Sequence, residues 1–464
     1  MAGPNQPQAG PIDWNDPRDV LAKSPMTVMQ VLIIGITVFL NALDGFDANA
    51  ISYASPGIAA EWGIDGGGLG IVLSMELVGM ALGSIFLGGI ADKIGRRKTV
   101  LGCITIMSLG MFLATTVRNP VELSIWRVLT GLGIGGMLAA IPAVSAEFSN
   151  SRRRDLNVSL MSIGYPIGAV VGGLIVRQLL VTYDWRSVFY LGAVASAALI
   201  PVVFFFLPES VHWLAQKQPT GALDQINGTL RRVGHPTVTA LPTLPAASRR
   251  QSVADIFSPT LLGITVITTL AYFFHITTFY FIFKWVPRIV TGFGFPAASA
   301  AGVLMWASVG GTVGGALLGI LTQKYGVRAL TIGSMVFSTV AVAAIGRVPP
   351  DLQSLSMVCA AAGFFTNGAI VGLYALFAKA FPTHVRATGT GFAVGLGRGA
   401  AVLAPIIAGY LFQWGYGLPT VAMTMGAGSL LAAGVLLFLK LGSAGSAQPV
   451  VKRESVPGMK GAEA

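Results

Sequence analysis

Twelve times along this chain, a run of about twenty or more residues passes with almost no charged side chain. A helix needs roughly 20 predominantly apolar residues to cross the hydrocarbon core of a bilayer. The runs fall at 28–53, 67–90, 99–117, 122–146, 158–181, 187–207, 260–283, 298–321, 329–346, 353–378, 387–410 and 418–440. Inside lipid every backbone polar group has to be satisfied within the segment itself, so runs of this length are expected to be helices. Composition agrees. Only 11% of the residues are charged and 53% are hydrophobic, whereas a soluble protein carries about 25% charged residues. That is too little charge to coat a globule in water, which argues against a soluble enzyme. The expected fold is an all-α membrane protein of twelve transmembrane helices in two six-helix halves.

A polar stretch, 208–258, holds Pro208, Pro219, Pro236, Pro242 and Pro245 and separates the sixth run from the seventh. The organisation read from this is an N-terminal tail (1–27), a first bundle (28–207), a central loop (208–258), a second bundle (259–440) and a C-terminal tail (441–464). The N-terminal tail has no basic start followed by a short apolar core, so it does not read as a cleavable signal peptide. It is expected to be poorly ordered. The net charge of +11 would suggest a nucleic-acid partner in a soluble protein; here the partner is the bilayer, and the charge reports orientation. Of the 30 Lys and Arg residues, 22 fall on or at the side of the termini, 6 on or at the other side, and 2, Arg127 and Arg398, deeper within runs. Positive charge collects inside, so both termini are expected in the cytoplasm. Cys103 and Cys359 both lie in apolar runs and read as small core residues.

The chain repeats itself. Gly88-Gly-Ile-Ala-Asp92-Lys-Ile-Gly95-Arg96-Arg97 follows the second run, and Gly319-Ile-Leu-Thr-Gln323-Lys-Tyr-Gly326-Val-Arg328 follows the eighth, roughly half the chain later. Phe148 and Arg153 after the fourth run correspond to Phe381 and Arg386 after the tenth. Parallel six-helix halves that handle a substrate at their interface describe a secondary transporter.

These residues also carry a resemblance. The Gly88-to-Lys98 loop, Trp126-Arg127 with Gly131, Gly133 and Gly135, Gly164-Tyr-Pro166-Ile-Gly168 with Gly172-Gly173, and Leu207-Pro208-Glu209-Ser210 resemble successive signatures of the major facilitator superfamily. Leu43-Asp44-Gly45-Phe46-Asp47 and Gly395-Leu-Gly397-Arg398-Gly399 with Ala404-Pro405 resemble those of its aromatic acid:proton symporters. Glu76 and Lys284 are departures from that signature. The resemblance implies the major facilitator fold, a bacterial inner-membrane location and proton-coupled uptake of 4-hydroxybenzoate-, protocatechuate- or vanillate-type acids for catabolism. It also implies a gating role at the cytoplasmic surface for Asp92 and Arg96, with Glu147, Arg153 and Arg386 as companions. Pro208-Glu209-Ser210-Val-His212-Trp213-Leu214 is similar to sugar porters, so a symporter for a sugar or another organic acid is the alternative.

Ionisable groups cost about 2.5–3.5 kcal/mol each at the centre of a membrane helix, so they are the first places to look for function. Asp44 and Asp47 are three residues apart on one helix face. Two carboxylates that close cannot both ionise cheaply away from water, so one is expected to carry a proton near neutral pH. Arg127, at similar depth, either pairs with an acid structurally or modulates its proton affinity. Glu76 is a second candidate for titration. Arg398, among glycines, presents a planar fork that matches a carboxylate, so it either anchors the substrate or pairs with Glu76. His275 sits amid Tyr272, Phe273, Phe274, Phe279 and Tyr280, as a substrate contact, a proton relay or a satisfied core histidine. Tyr165, Trp306, Tyr374 and Asn41 complete the substrate-binding candidates. Lys284 and Arg288 read as charges near the outer mouth.

Gly131-Leu-Gly133-Ile-Gly135-Gly136 lies inside an apolar helix with no strand before it, so it is not a dinucleotide loop. No Walker-type loop and no zinc spacing occur. The expected protein is therefore not an enzyme: a monomeric carrier without cofactor or metal, driven by the proton gradient, taking up a small aromatic carboxylate by alternating access.

Overall fold

The computed structural model describes residues 13–243, 253–322, 324–382 and 385–439. Gln323, Lys440 and the expected C-terminal tail lie outside the described residues, as do residues 1–12 and 244–252. Among the described residues there are fifteen α-helices and no strand: α1 (Pro17–Lys23), α2 (Val28–Trp62), α3 (Gly66–Ile94), α4 (Arg96–Ala114), α5 (Pro120–Glu147), α6 (Arg154–Thr182), α7 (Arg186–Phe206), α8 (Val211–Lys217), α9 (Ala222–Val233), α10 (Leu262–Gly292), α11 (Ala297–Leu321), α12 (Val327–Ile345), α13 (Leu352–Ala380), α14 (Arg386–Gln413) and α15 (Leu418–Leu436). Twelve of them, α2–α7 and α10–α15, are long and apolar enough to cross a membrane.

Helix ends carry the expected local chemistry. Thr27 and Gln30 form a reciprocal capping box at the start of α2. Asn119 caps α5 ahead of Pro120, whose missing N–H costs nothing at the first helical position. Two helices outrun the apolar windows that announced them. α2 continues through Pro56 to Trp62, and α10 continues through Lys284, Trp285 and Arg288 to Gly292. Hydropathy stops at a charge, but a helix need not stop there if the charge finds partners inside the protein.

Small residues set the packing inside each half. Gly79 and Gly83 of α3 lie against the backbone of Val128 and Leu132 in α5, and Gly131 and Gly135 return the contact against Glu76 and Met80. Gly310 and Gly314 of α11 lie in the same way against Ala360 and Phe364 of α13. The offset from Gly79 to Gly310 is the one that separates Gly88 from Gly319, so the sequence repeat and the packing repeat coincide. Without a hydrophobic drive between helices in lipid, such close backbone approach is what dispersion and weak polar contacts require.

The two halves meet chiefly through α3 with α14 and α6 with α11. At the end of the bundle farthest from the termini the seam is tight. Gly66 packs on Gly409, Gly70 on Pro405, and Gly173 on Met305; Gln413 donates to Asp65 at 2.7 Å; and Ser74 donates to the carbonyl of Val402 at 2.7 Å.

Residues 13–27 are ordered, contrary to expectation. Asp16 caps α1, Val20 and Leu21 are fully buried, and α1 packs on α8. Ser151 donates to the carbonyl of Ala22 at 2.7 Å, which ties the tail to the α5–α6 connection. Composition misses this because two apolar residues suffice once a surface is there to receive them. The central loop likewise holds α8 and α9, and α9 is anchored by a His235–Gln30 hydrogen bond of 3.0 Å to the start of α2.

Candidate functional site

A cavity of about 280 Å³ lies at the seam, on the terminal side of the tight contacts. Its size is at the small end of pockets that take small molecules, about 300–1,000 Å³, and suits a single-ring ligand. The polar part of its wall is Arg398 with four tyrosines, Tyr165, Tyr272, Tyr280 and Tyr374; Leu77, Met80 and Ile276 supply apolar surface. Tyr272, Ile276 and Tyr280 recur every four residues along α10, so one stripe of that helix faces the cavity. Gly397 of α14 leaves room for the Tyr272 ring, which packs where a Cβ would stand, and the Tyr272 and Tyr374 hydroxyls are 3.2 Å apart. A larger hollow of about 390 Å³, lined by Asp65, Trp285, Arg288 and Phe412 among others, opens at the far end. The seal separates it from Arg398.

Arg398 reaches across the seam. Its Nη1 donates to the Met80 carbonyl at 3.0 Å and to Ser84 Oγ at 2.6 Å, both on α3. Among the described residues it has no carboxylate within ion-pair distance. Nε and Nη2 make no hydrogen bond there, and they are the two parallel donors that grip a carboxylate side-on. The pairing of Arg398 with Glu76 that the sequence leaves open is therefore not what is found.

Glu76 pairs elsewhere. Its Oε2 accepts from Arg127 Nη2 at 2.7 Å and from Lys284 Nζ at 3.3 Å, with all three side chains at 0–1% exposure. Arg127 also donates to the Asp47 carbonyl at 3.1 Å and lies over the Phe189 ring at 5.4 Å. Lys284 donates to the Ala48 carbonyl at 2.7 Å. Asp44 and Asp47 are fully buried, and among the described residues none of their four carboxylate oxygens has a hydrogen-bond partner. Asp47 faces α7, its Oδ1 standing 3.0 Å from where a Cβ on Gly192 would be.

The Major Facilitator Superfamily family model matches residues 37–345 and 269–460. The chain belongs to that superfamily. It is 28% identical over 427 residues to the gallate transporter of Pseudomonas putida, covering 91% of this chain and 94% of that protein. It is 29% identical over 437 residues to the 4-hydroxybenzoate transporter PcaK of Acinetobacter baylyi, covering 92% and 94%. Among solved structures, the D-xylose-proton symporter superposes with a TM-score of 0.68 at 18% identity, covering 88% of this chain and 98% of that one; at that identity the likeness is one of fold. The chain is thus a major facilitator transporter and not an enzyme.

Within this major facilitator fold the expected site residues divide. Arg398, Tyr165 and Tyr374 line the cavity. His275 does not: its Nδ1 bonds Ser429 Oγ and its Nε2 the Thr366 carbonyl, each at 2.9 Å, so both ring nitrogens are used in holding α10, α13 and α15 together. Asn41 donates to the Met161 carbonyl at 2.8 Å and fastens α2 to α6. Trp306 shares an exposed stripe of α11 with Val313, Leu317 and Ile320, away from the cavity. Among the described residues neither aspartate forms an ion pair: Arg127 stands close to Asp47 and bonds its backbone carbonyl, but it pairs with Glu76. Lys284, read as an outer charge, is buried at the seam. No hydropathy window signals that position; only the partners on α2 and α3 do. Tyr272 and Tyr280 enter the sequence reading only as neighbours of His275; their four-residue spacing with Ile276 is the signal that marks them as one stripe.

At the terminal end the expected gate residues sit largely within the first half. Arg96 bonds Asp92 at 2.7 Å and Glu147 at 3.4 Å. The Trp213 indole donates to the Asp92 carbonyl at 3.1 Å. Glu209 is the acid at a helix terminus, accepting from the backbone N–H of Arg96 at 2.7 Å and of Arg97 at 3.2 Å at the start of α4. Arg153 is exposed, and its backbone N–H bonds Asn150 Oδ1 at 3.0 Å. Arg386 Nε donates to the Phe381 carbonyl at 3.4 Å.

Proposed function

We propose that this transporter carries a small aromatic carboxylate of the hydroxybenzoate or methoxybenzoate type, together with a proton, across the bacterial inner membrane into the cytoplasm. The observation that carries the reading is the cavity at the seam, in which one guanidinium has two open donors and is surrounded by tyrosine rings and aliphatic surface. The guanidinium fork suits a carboxylate, tyrosine faces suit a ring, and tyrosine hydroxyls suit ring hydroxyl or methoxyl oxygens. The names of the similar proteins, a gallate transporter and a 4-hydroxybenzoate transporter, support the same class.

The proton sits on the Asp44/Asp47 pair. Both carboxylates are buried without a hydrogen-bond partner among the described residues, and a buried charge that makes no hydrogen bond is costly, which makes this pair the best place for a transported proton. Proton loss then requires a rearrangement that brings water or a cation to the pair, which ties protonation to conformation. With the basic residues on the cytoplasmic side, the tight far end of the seam faces outward and the present state is the one closed to the outside. The carrier works as a monomer, without cofactor, on the proton gradient alone.

The test is uptake of labelled 4-hydroxybenzoate or vanillate into proteoliposomes with acid imposed outside. Accumulation should require the gradient and resist competition by sugars. The Asp44→Asn/Asp47→Asn protein should still exchange substrate down its own gradient but not concentrate it. Concentration by that double variant rejects the proton site; failure of every aromatic acid in the wild-type protein rejects the substrate class.

A further inference from the structure

Lys284 belongs to the second half of the molecule, yet both groups it bonds belong to the first: the Ala48 carbonyl of α2 at 2.7 Å and Glu76 Oε2 of α3 at 3.3 Å. Glu76 and Arg127, by contrast, both lie in the first half and pair at 2.7 Å. The cluster is therefore lopsided. Taking Lys284 away leaves Glu76 still paired with Arg127, whereas Lys284 loses both its acceptors. The next residue, Trp285, donates its indole N–H to the Pro405 carbonyl at 3.2 Å and packs on Phe412 with ring centroids 5.0 Å apart. It lies beside the contacts of Gly66 with Gly409 and of Gly70 with Pro405 that close the far end. If the halves alternate, opening the far end draws α10 away from α2 and α3, and the ammonium has to leave a site with 1% exposure. A buried ion pair is strongly sensitive to loss of one partner, so this contact weighs directly on which end is open.

We propose that Lys284 is a positioning residue of the transport cycle, a bolt that holds the far end of the seam shut through Glu76 and the Ala48 carbonyl and is withdrawn each time that end opens. The inference rests on the alternation of the two halves in the reading above and not on the identity of the substrate.

The experiment is a pulsed spin-label distance measurement across the far end, with Ala60→Cys on α2 and Tyr416→Cys between α14 and α15, on the full chain in liposomes without substrate. The wild-type protein should populate mainly the short distance. Lys284→Met removes both bonds across the seam and should raise the ratio of long to short distance by about tenfold or more, the loss expected for at least one charge-assisted hydrogen bond, and Lys284→Arg should largely restore it. Should Lys284→Met fail to fold, Glu76→Gln weakens the same bolt from the other side and must shift the distribution in the same direction. An unchanged distribution in whichever of these variants folds overturns the proposal. The reading needs no ligand, so a shifted distribution in a protein that carries no aromatic acid would uphold the bolt and reject only the substrate.

Discussion

Replacing Arg398 by lysine keeps the positive charge and removes the fork, and the structure says what that should cost. Nη1 spends its hydrogen bonds on Met80 and Ser84. This fixes the guanidinium plane and leaves Nε and Nη2 as a parallel pair open to the proposed substrate carboxylate. A lysine ammonium, on a stem without that anchor, can meet one carboxylate oxygen well but not both. The loss is one charge-assisted hydrogen bond, about 1.5–3 kcal/mol, or roughly 10- to 100-fold in affinity at about 1.4 kcal/mol per decade. Ser84→Ala tests the anchor separately: it removes one neutral acceptor worth about 1 kcal/mol and should weaken binding about fivefold with the fork intact. Calorimetric titration of 4-hydroxybenzoate into the purified transporter, with counterflow in proteoliposomes, reads both. Binding by Arg398→Lys within about twofold of wild type would refute bidentate capture.

Other outcomes follow from packing and burial. A Cβ at Gly168 would collide with the backbone of Ala42, while one at Gly399 meets open space; Gly168→Ala should lower stability by about 1–3 kcal/mol through overpacking and Gly399→Ala should not, as thermal unfolding in detergent would record. His275→Phe should melt earlier because the Thr366 carbonyl loses the imidazole and Ser429 is left with the longer 3.3 Å contact to Ser338, with an unchanged KM for uptake; a raised KM would restore a substrate role. His212, on α8 outside the spans, has its pKa pushed down to about 4 by burial, with further lowering by Arg154 and Arg18. A group whose folded value lies below its unfolded one of about 6.5 stabilises the fold fully above pH 6.5 and loses that contribution as the pH falls toward 4. The melting temperature should drop over that window, and less steeply in His212→Gln.

Much of this molecule is legible one residue at a time. Hydropathy finds twelve spans because a bilayer tests each helix separately for length and polarity. Arg398, Tyr165 and Tyr374 stand out as polar residues that lipid would not tolerate without a use. The aspartate pair stands out for the same reason.

Partnership is where residue-by-residue reading stops. Arg127, Glu76 and Lys284 lie on three helices far apart in the chain, and nothing in their spacing tells that one carboxylate pairs with both cations while, among the described residues, neither aspartate forms an ion pair. His275 and Asn41 look like site residues because polar groups are rare in spans, yet both ring nitrogens of His275 and the amide N–H of Asn41 go to fastening helices together. The chain alone determined which segments enter the membrane and which polar residues go with them. Only the tertiary packing decided which of those residues face each other and which face the cavity, because ion pairs and hydrogen bonds act over a few ångströms across the seam, whereas sequence distance counts only along a helix.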